Sequence, residues 1–213
     1  NTDPSWNSSG INIMDPAVSS GVTSDNYFGY SIFANTDILL IGSPKYSGTL
    51  DASGRAYLYD FNQSTPVLVQ EFDASVGGIV GAKYFGSSVS ASTNNSDYNI
   101  VVIGSGGGRN LTSGLAPGLD TVPGNVFIYK ANTLNLGASS NPFTLVQVLY
   151  GSTGSNFGCS VSISNFILTI GAESASSYFG EVYIYNTNNY GNTWNLIQTI
   201  TGGNSNDYLG TSV

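Results

Sequence analysis

One phrase is written into this chain three times and begun a fourth: "NYFGYSI" from Asn26, "KYFGSSVS" from Lys83, "SNFGCSVS" from Ser155 and "DYLGTSV" from Asp207. A phrase that recurs at intervals of half a hundred residues constrains the fold strongly. Each copy must be one supersecondary unit that buries its apolar face against its neighbours. Aligned on Phe28-Gly29, Phe85-Gly86, Phe157-Gly158 and Leu209-Gly210, the copies stand 57, 72 and 52 residues apart (28 to 85, 85 to 157, 157 to 209).

Each interval holds four segments in the same order. The first follows the glycine ("GYSIF", "GSSVSAS", "GCSVSIS") and alternates small polar with apolar residues, the period-2 mark of a strand. The second is an apolar run closed by Ile-Gly ("DILLIGSP", "NIVVIGSG", "FILTIGAE"), which reads as a strand buried on both faces. The third opens with glycine and alternates aromatic with aliphatic residues ("GRAYLYD", "GNVFIYK", "GEVYIYN"). The fourth carries a glutamine at Gln70, Gln147 and Gln198 ("VLVQEF", "TLVQVL", "LIQTI"). Gly, Asn, Asp, Ser and Pro separate the segments. No stretch keeps a 3.6-residue period, so helix content is expected near zero. Four antiparallel strands per repeat is the arithmetic of a β-propeller blade. The glycine after the aromatic fits crowded strands, where a missing Cβ lets backbones approach.

The phrases "YFGYSI", "ILLIGSP" and "GRAYLY" resemble the FG-GAP repeat of the integrin alpha-subunit head and its relatives. The Gly-Ala-Pro step of that repeat is degenerate here: Gly42-Ser43-Pro44, Gly104-Ser105-Gly106 and Gly171-Ala172-Glu173. The resemblance implies an all-β, seven-bladed ring, of which this chain would supply about three complete blades. On that reading 1–25 are an outer strand ("WNSSGINIM" from Trp6) and its connection. Blades follow over 26–82, 83–154 and 155–206, and 207–213 open the next blade. A ring assembled from more than one chain is the alternative.

Composition removes several functions. Charged residues are 8% of the chain, with 13 acids against 5 bases and a net charge of −8. The bases Lys45, Arg55, Lys83, Arg109 and Lys130 are scattered, which argues against nucleic acid. No histidine exists, so the commonest general base and every His metal site are gone. Cys159 stands alone and reads as a small buried strand residue. No stretch approaches the roughly 20 apolar residues of a membrane span.

The resemblance implies calcium in an acidic loop between a blade's first two strands. Only the second blade has the length for it, and the ligand positions fall on Ser92, Asn94, Ser96 and Ile100, with Asp97 where the family has glycine. That set is too poor in carboxylates for tight calcium. No cofactor is expected in this stretch, and calcium sites would belong to blades outside it. "IGSGGGRN" from Ile103 lacks the third glycine and the helix of a dinucleotide loop. It opens the longest insertion, 105–123, and long loops on rigid scaffolds bind partners. In the family, the face built from second-to-third and fourth-to-first connections meets partners. Arg109, Asp120, Lys83 and Tyr84 are the candidate binding residues there.

The aromatic pairs Tyr57/Tyr59, Phe127/Tyr129 and Tyr183/Tyr185 read as packing between blades. Glu173 and Glu181, eight residues apart, read as surface acids and not a glycosidase pair. N-glycosylation sequons fall at Asn7, Asn62, Asn94 and Asn110, in loops, but a chain so rich in Asn, Ser and Thr yields roughly five by chance. The functional expectation is a non-enzymatic recognition or adhesion scaffold of an extracellular or cell-surface glycoprotein, binding a protein or glycan ligand through loops on one face. The alternative is a structural protein that self-associates into a coat or filament. A third reading is a glycan-active enzyme.

Overall fold

The computed structural model describes residues 13–16, 26–46, 54–62, 64–77, 83–93, 99–106, 123–132, 134, 136 and 141–213. They form three four-stranded antiparallel sheets in chain order. The first holds β1 (Ser31–Ala34), β2 (Ile38–Ser43), β3 (Arg55–Asp60) and β4 (Val67–Phe72). The second holds β5 (Ser88–Thr93), β6 (Asn99–Gly104), β7 (Asn125–Ala131) and β8 (Thr144–Tyr150). The third holds β9 (Ser160–Ser164), β10 (Ile167–Ala172), β11 (Glu181–Asn186) and β12 (Asn195–Thr201). Among the described residues the longer helical pieces are a 3-10 turn at Ala74–Gly77 and a four-residue turn at Ala175–Tyr178.

The sheets meet through the first strand of each following sheet: β1 and β2 approach β5, and β5 and β6 approach β9. They converge at their first strands and splay toward their fourth. This is the arrangement of consecutive propeller blades, as the repeat predicts.

The third strands explain the alternation in the sequence. Phe127 and Tyr129 face back onto Ile38, Leu40, Ala56 and Leu58 of the first sheet. Val126 and Ile128, between them, face forward onto Leu168, Ile170 and Ala172 of the third. Tyr183 and Tyr185 pack back onto that same cluster. Tyr57 and Tyr59 face Ile13 and Phe28. Burial follows coverage: β6 is buried throughout, whereas β12 is exposed throughout.

The repeated Phe-Gly pair is a turn. Tyr30, Ser87, Cys159 and Thr211 donate their N–H to the carbonyls of Tyr27, Tyr84, Asn156 and Tyr208, with N···O distances of 2.9 to 3.2 Å. Gly29, Gly86, Gly158 and Gly210 have φ of 87°, 87°, 85° and 91°. A type II turn demands such a φ at its third residue, which favours glycine. The expected close approach holds at three of the four. A Cβ on Gly86 would sit 2.3 Å from the Arg55 carbonyl oxygen, on Gly158 2.7 Å from that of Asn125, and on Gly210 2.4 Å from that of Glu181. Around Gly29 none of the described residues lies within 4 Å, so among them only the turn requires glycine.

Of the stretch read as an outer strand, the residues up to Asn12 lie outside the described ones, and Ile13 and Met14 are described without strand pairing. In 207–213, Leu209 forms a parallel bridge with Gly180, as Phe85 does with Gly54.

Candidate functional site

Two connections of the third sheet build a pocket at the end of the stack where fourth strands lead to first and second to third. The β8–β9 connection supplies Ser152 and Ser155, and the β10–β11 connection supplies Ser174 and Ser176. Glu181 and Tyr183 at the start of β11 complete it, around a volume of about 230 Å³. The connections are tied to each other. Ser174 N–H donates to the Ser155 carbonyl at 3.2 Å, and Asn156 Nδ2 donates to Ser174 Oγ at 3.0 Å.

The β10–β11 connection has an uncommon backbone. Ser176, Ser177 and Tyr178 have φ of 50°, 58° and 69°, three consecutive left-handed residues. Each costs roughly 1–2 kcal/mol relative to the right-handed form. Hydrogen bonds hold them there. Gly180 N–H donates to Ala175 O at 3.1 Å, and the N–H groups of Asn206 and Tyr208 reach Tyr178 O at 2.9 and 3.2 Å. The result sets Ser176 Oγ against Glu181 Oε1 at 2.5 Å, while the Tyr183 hydroxyl donates to Glu181 Oε2. Burial first, and then the bond to Glu181, raises the Tyr183 pKa well above the phenol range, so it remains a donor at all ordinary pH.

Elsewhere the expected site residues separate. Lys83 is exposed and its carbonyl accepts Ser105 Oγ at 2.7 Å. Tyr84 is the left-handed residue opening the Phe-Gly turn, at φ 61°. Both sit on the β4–β5 connection, at the same end of the stack as the pocket but one sheet earlier. Arg109 and Asp120 lie outside the described residues. So do Asn94, Ser96 and Asp97 of the degenerate metal loop, and the sequon residues Asn7 and Asn110. Ser92 does not serve as a free ligand, because its Oγ accepts the Asn165 N–H at 3.1 Å, and Ile100 is wholly buried between sheets. Asn62 is exposed between β3 and β4, with its Nδ2 3.4 Å from Asp37 Oδ1.

Two readings are corrected. Glu173 is not a surface acid: it is 3% exposed and accepts Thr211 Oγ1 at 3.3 Å. Cys159 is not a strand residue. It closes the Phe157-Gly158 turn half-buried, with Sγ 3.4 Å from Gly210 O, and burial pushes its thiol up to about 11. Sequence reasoning also passed over Glu181 as a pocket residue. A signal was present: the residue opening each third strand is Arg55, Asn125 and Glu181, variable where its neighbours repeat. In the first sheet that position forms an ion pair, Arg55 to Glu71.

No protein-family model matches the chain, and no curated protein matches it. Among solved structures it is similar to the crystal structure of the Saccharomyces cerevisiae Sqt1, at a TM-score of 0.46 and 10% identity. The likeness covers 82% of this chain and 35% of that one.

Proposed function

We propose that this chain is a non-catalytic recognition scaffold of an extracellular or cell-surface protein, of the FG-GAP, integrin-alpha-like kind that its repeat resembles. It meets a protein or glycan through connections at one end of the stack. The observation that carries this reading is the pocket made where the β8–β9 and β10–β11 connections are tied together on packed sheets. Loops fixed on a rigid scaffold bind without a large ordering cost. Catalysis finds little support. The chain has no histidine, and burial raises the Cys159 thiol to about 11.

A second reading has its own observation. Ile167, Ile197 and Ile200 of the third sheet are 43%, 54% and 42% exposed, an aliphatic face that favours association with another sheet. Binding of the purified protein to panels of cell-surface ectodomains and glycans separates the two. The scaffold reading expects saturable binding that Ser152→Trp at the pocket rim abolishes and Tyr190→Ser at the opposite end leaves intact. Binding lost equally in both variants overturns it. So does the absence of any ligand in a protein that forms polymers sensitive to Ile197→Asp.

A further inference from the structure

The structure assigns the Glu181 pocket to one neutral, polyhydroxylated ring, a single sugar residue, and this rests on the recognition reading above. The argument starts from charge. No lysine or arginine follows Lys130 in the chain, and Lys130 itself reaches Asn192 Oδ1 at 2.9 Å, away from the pocket. No lysine or arginine is among the described residues that line the pocket, so a phosphate, sulfate or carboxylate would meet no cation on those walls. A metal ion would find a single carboxylate among the lining residues, where calcium wants several.

An organic cation is the closer competitor, and the state of Glu181 decides against it. Both its oxygens already accept hydroxyl protons, Oε1 from Ser176 and Oε2 from Tyr183. Those bonds disperse and orient its charge, and they leave lone pairs directed for further O–H donors. Around it the lining is neutral and hydroxylic. Ser174 Oγ accepts from Asn156 Nδ2, which leaves its own proton for a ligand oxygen. Hydroxyl donors and acceptors mixed with one carboxylate on a small wall match vicinal ligand hydroxyls, which both donate and accept. Ala175 and the Tyr183 ring supply an apolar patch for the C–H face of such a ring. The volume, about 230 Å³, falls below the usual range for drug-sized ligands and suits one ring better than a chain.

The left-handed run at Ser176 to Tyr178 supports a built site. It brings Ser176 against Glu181, and strained backbone of this kind gathers at ligand sites.

The test uses the whole chain with methyl glycosides of glucose, galactose, mannose and N-acetylglucosamine, read by saturation-transfer NMR and titration calorimetry. Tetramethylammonium and inorganic phosphate serve as competing probes. The expected result is millimolar or tighter binding of at least one glycoside. Glu181→Gln should weaken it at least tenfold and Ser174→Ala about threefold, with sheet circular dichroism and cooperative melting retained in both. Tyr183→Phe, which keeps the ring, should weaken it less than Glu181→Gln. Tetramethylammonium binding that depends on Glu181, with no glycoside bound, overturns the assignment. So does glycoside binding indifferent to Glu181→Gln. A macromolecular partner blocked by Ser152→Trp while no glycoside binds sinks this inference and leaves the recognition reading standing. Loss of both removes the reading as well.

Discussion

Ser31 Oγ donates to the Gly86 carbonyl at 2.8 Å, and one sheet later Ser88 Oγ donates to the Gly158 carbonyl at the same distance. Gln70 clamps the backbone of Phe143 through both its amide atoms, at 2.8 and 2.9 Å, and Gln147 clamps Trp194 at 3.2 and 2.7 Å. The two joints share this hydrogen-bonding frame and differ in their filling. The first is packed with rings, Phe72, Phe85, Phe127, Tyr129 and Phe143. The second is mostly aliphatic, with Ile100, Val102, Ile128, Leu168 and Ile170 around Phe157 and Trp194. The frame fixes the spacing, and the filling adapts to it. Hydrogen-bond and glycine contacts tolerate tenths of an ångström, whereas apolar volume can be supplied by many residue sets.

The strongest way to break this comparison is at the glycines. Gly86→Ala adds a left-handed Cβ and drives it into the Arg55 carbonyl oxygen at 2.3 Å, where backbone must move. Gly29→Ala meets the same φ of 87° and no described residue within 4 Å. We expect about 4 kcal/mol or more lost at Gly86, as strain plus overpacking, and about 1–2 kcal/mol at Gly29 from φ alone. Urea unfolding midpoints of the two variants measure the difference. Equal losses would mean that the inter-sheet contact adds nothing to the turn.

Those glycines also mark what the sequence made legible. The four strands, their order and the packing of each aromatic pair between blades followed from period and composition, because each repeat had to satisfy the same packing on both faces. The clamp did not. Gln70, Gln147 and Gln198 were visible as a recurring letter, but their role depends on a bulge. In each sheet the register shifts between the third-strand residues opposite the glutamine and opposite its neighbour, at Leu58/Tyr59, Ile128/Tyr129 and Ile184/Tyr185. A bulge turns the side chain toward the next sheet, where the splayed edges need a long amide to bridge them. Glu181 escaped for a related reason. Its setting is made by Ser176 and the left-handed run, and no local preference of Ser-Ser-Tyr announces that backbone.

The glutamines give the second, smaller test. Gln70 is 6% exposed, and its replacement by leucine strands the Phe143 N–H and carbonyl, for an expected loss of about 2–4 kcal/mol. Gln147→Leu, less buried, should cost about 1–3 kcal/mol. Gln198 keeps the bulge but lies in the exposed strand β12, so Gln198→Leu should fall within about 0.5 kcal/mol of the parent. Denaturant midpoints in that order would confirm that the clamp and not the bulge carries the energy. Three equal losses would assign it to the strand.

The smallest effects separate the joints by pH. Tyr129 fills the first joint with a buried hydroxyl that finds no partner among the described residues, whereas Tyr183 in the second donates to Glu181. Tyr129→Phe should therefore be neutral or slightly stabilising, and Tyr183→Phe should lose about 0.5–1.5 kcal/mol. Alkali sharpens the contrast. Burial raises the Tyr129 phenol above its usual 10.0, pushes Tyr59 up to about 12, and pushes Cys159 from 9.0 up to about 11. Above pH 9 the unfolded chain releases these protons while the folded chain retains them. The unfolded state then binds fewer protons, and stability must fall as pH rises. It should hold steady from pH 7 to 9 and decline through pH 12, with tyrosinate absorbance rising together with loss of sheet circular dichroism. Tyr129→Phe removes one of the retained protons and should flatten the decline. An unchanged slope in that variant would place the alkaline lability in the other raised groups, Tyr59, Tyr183 and Cys159.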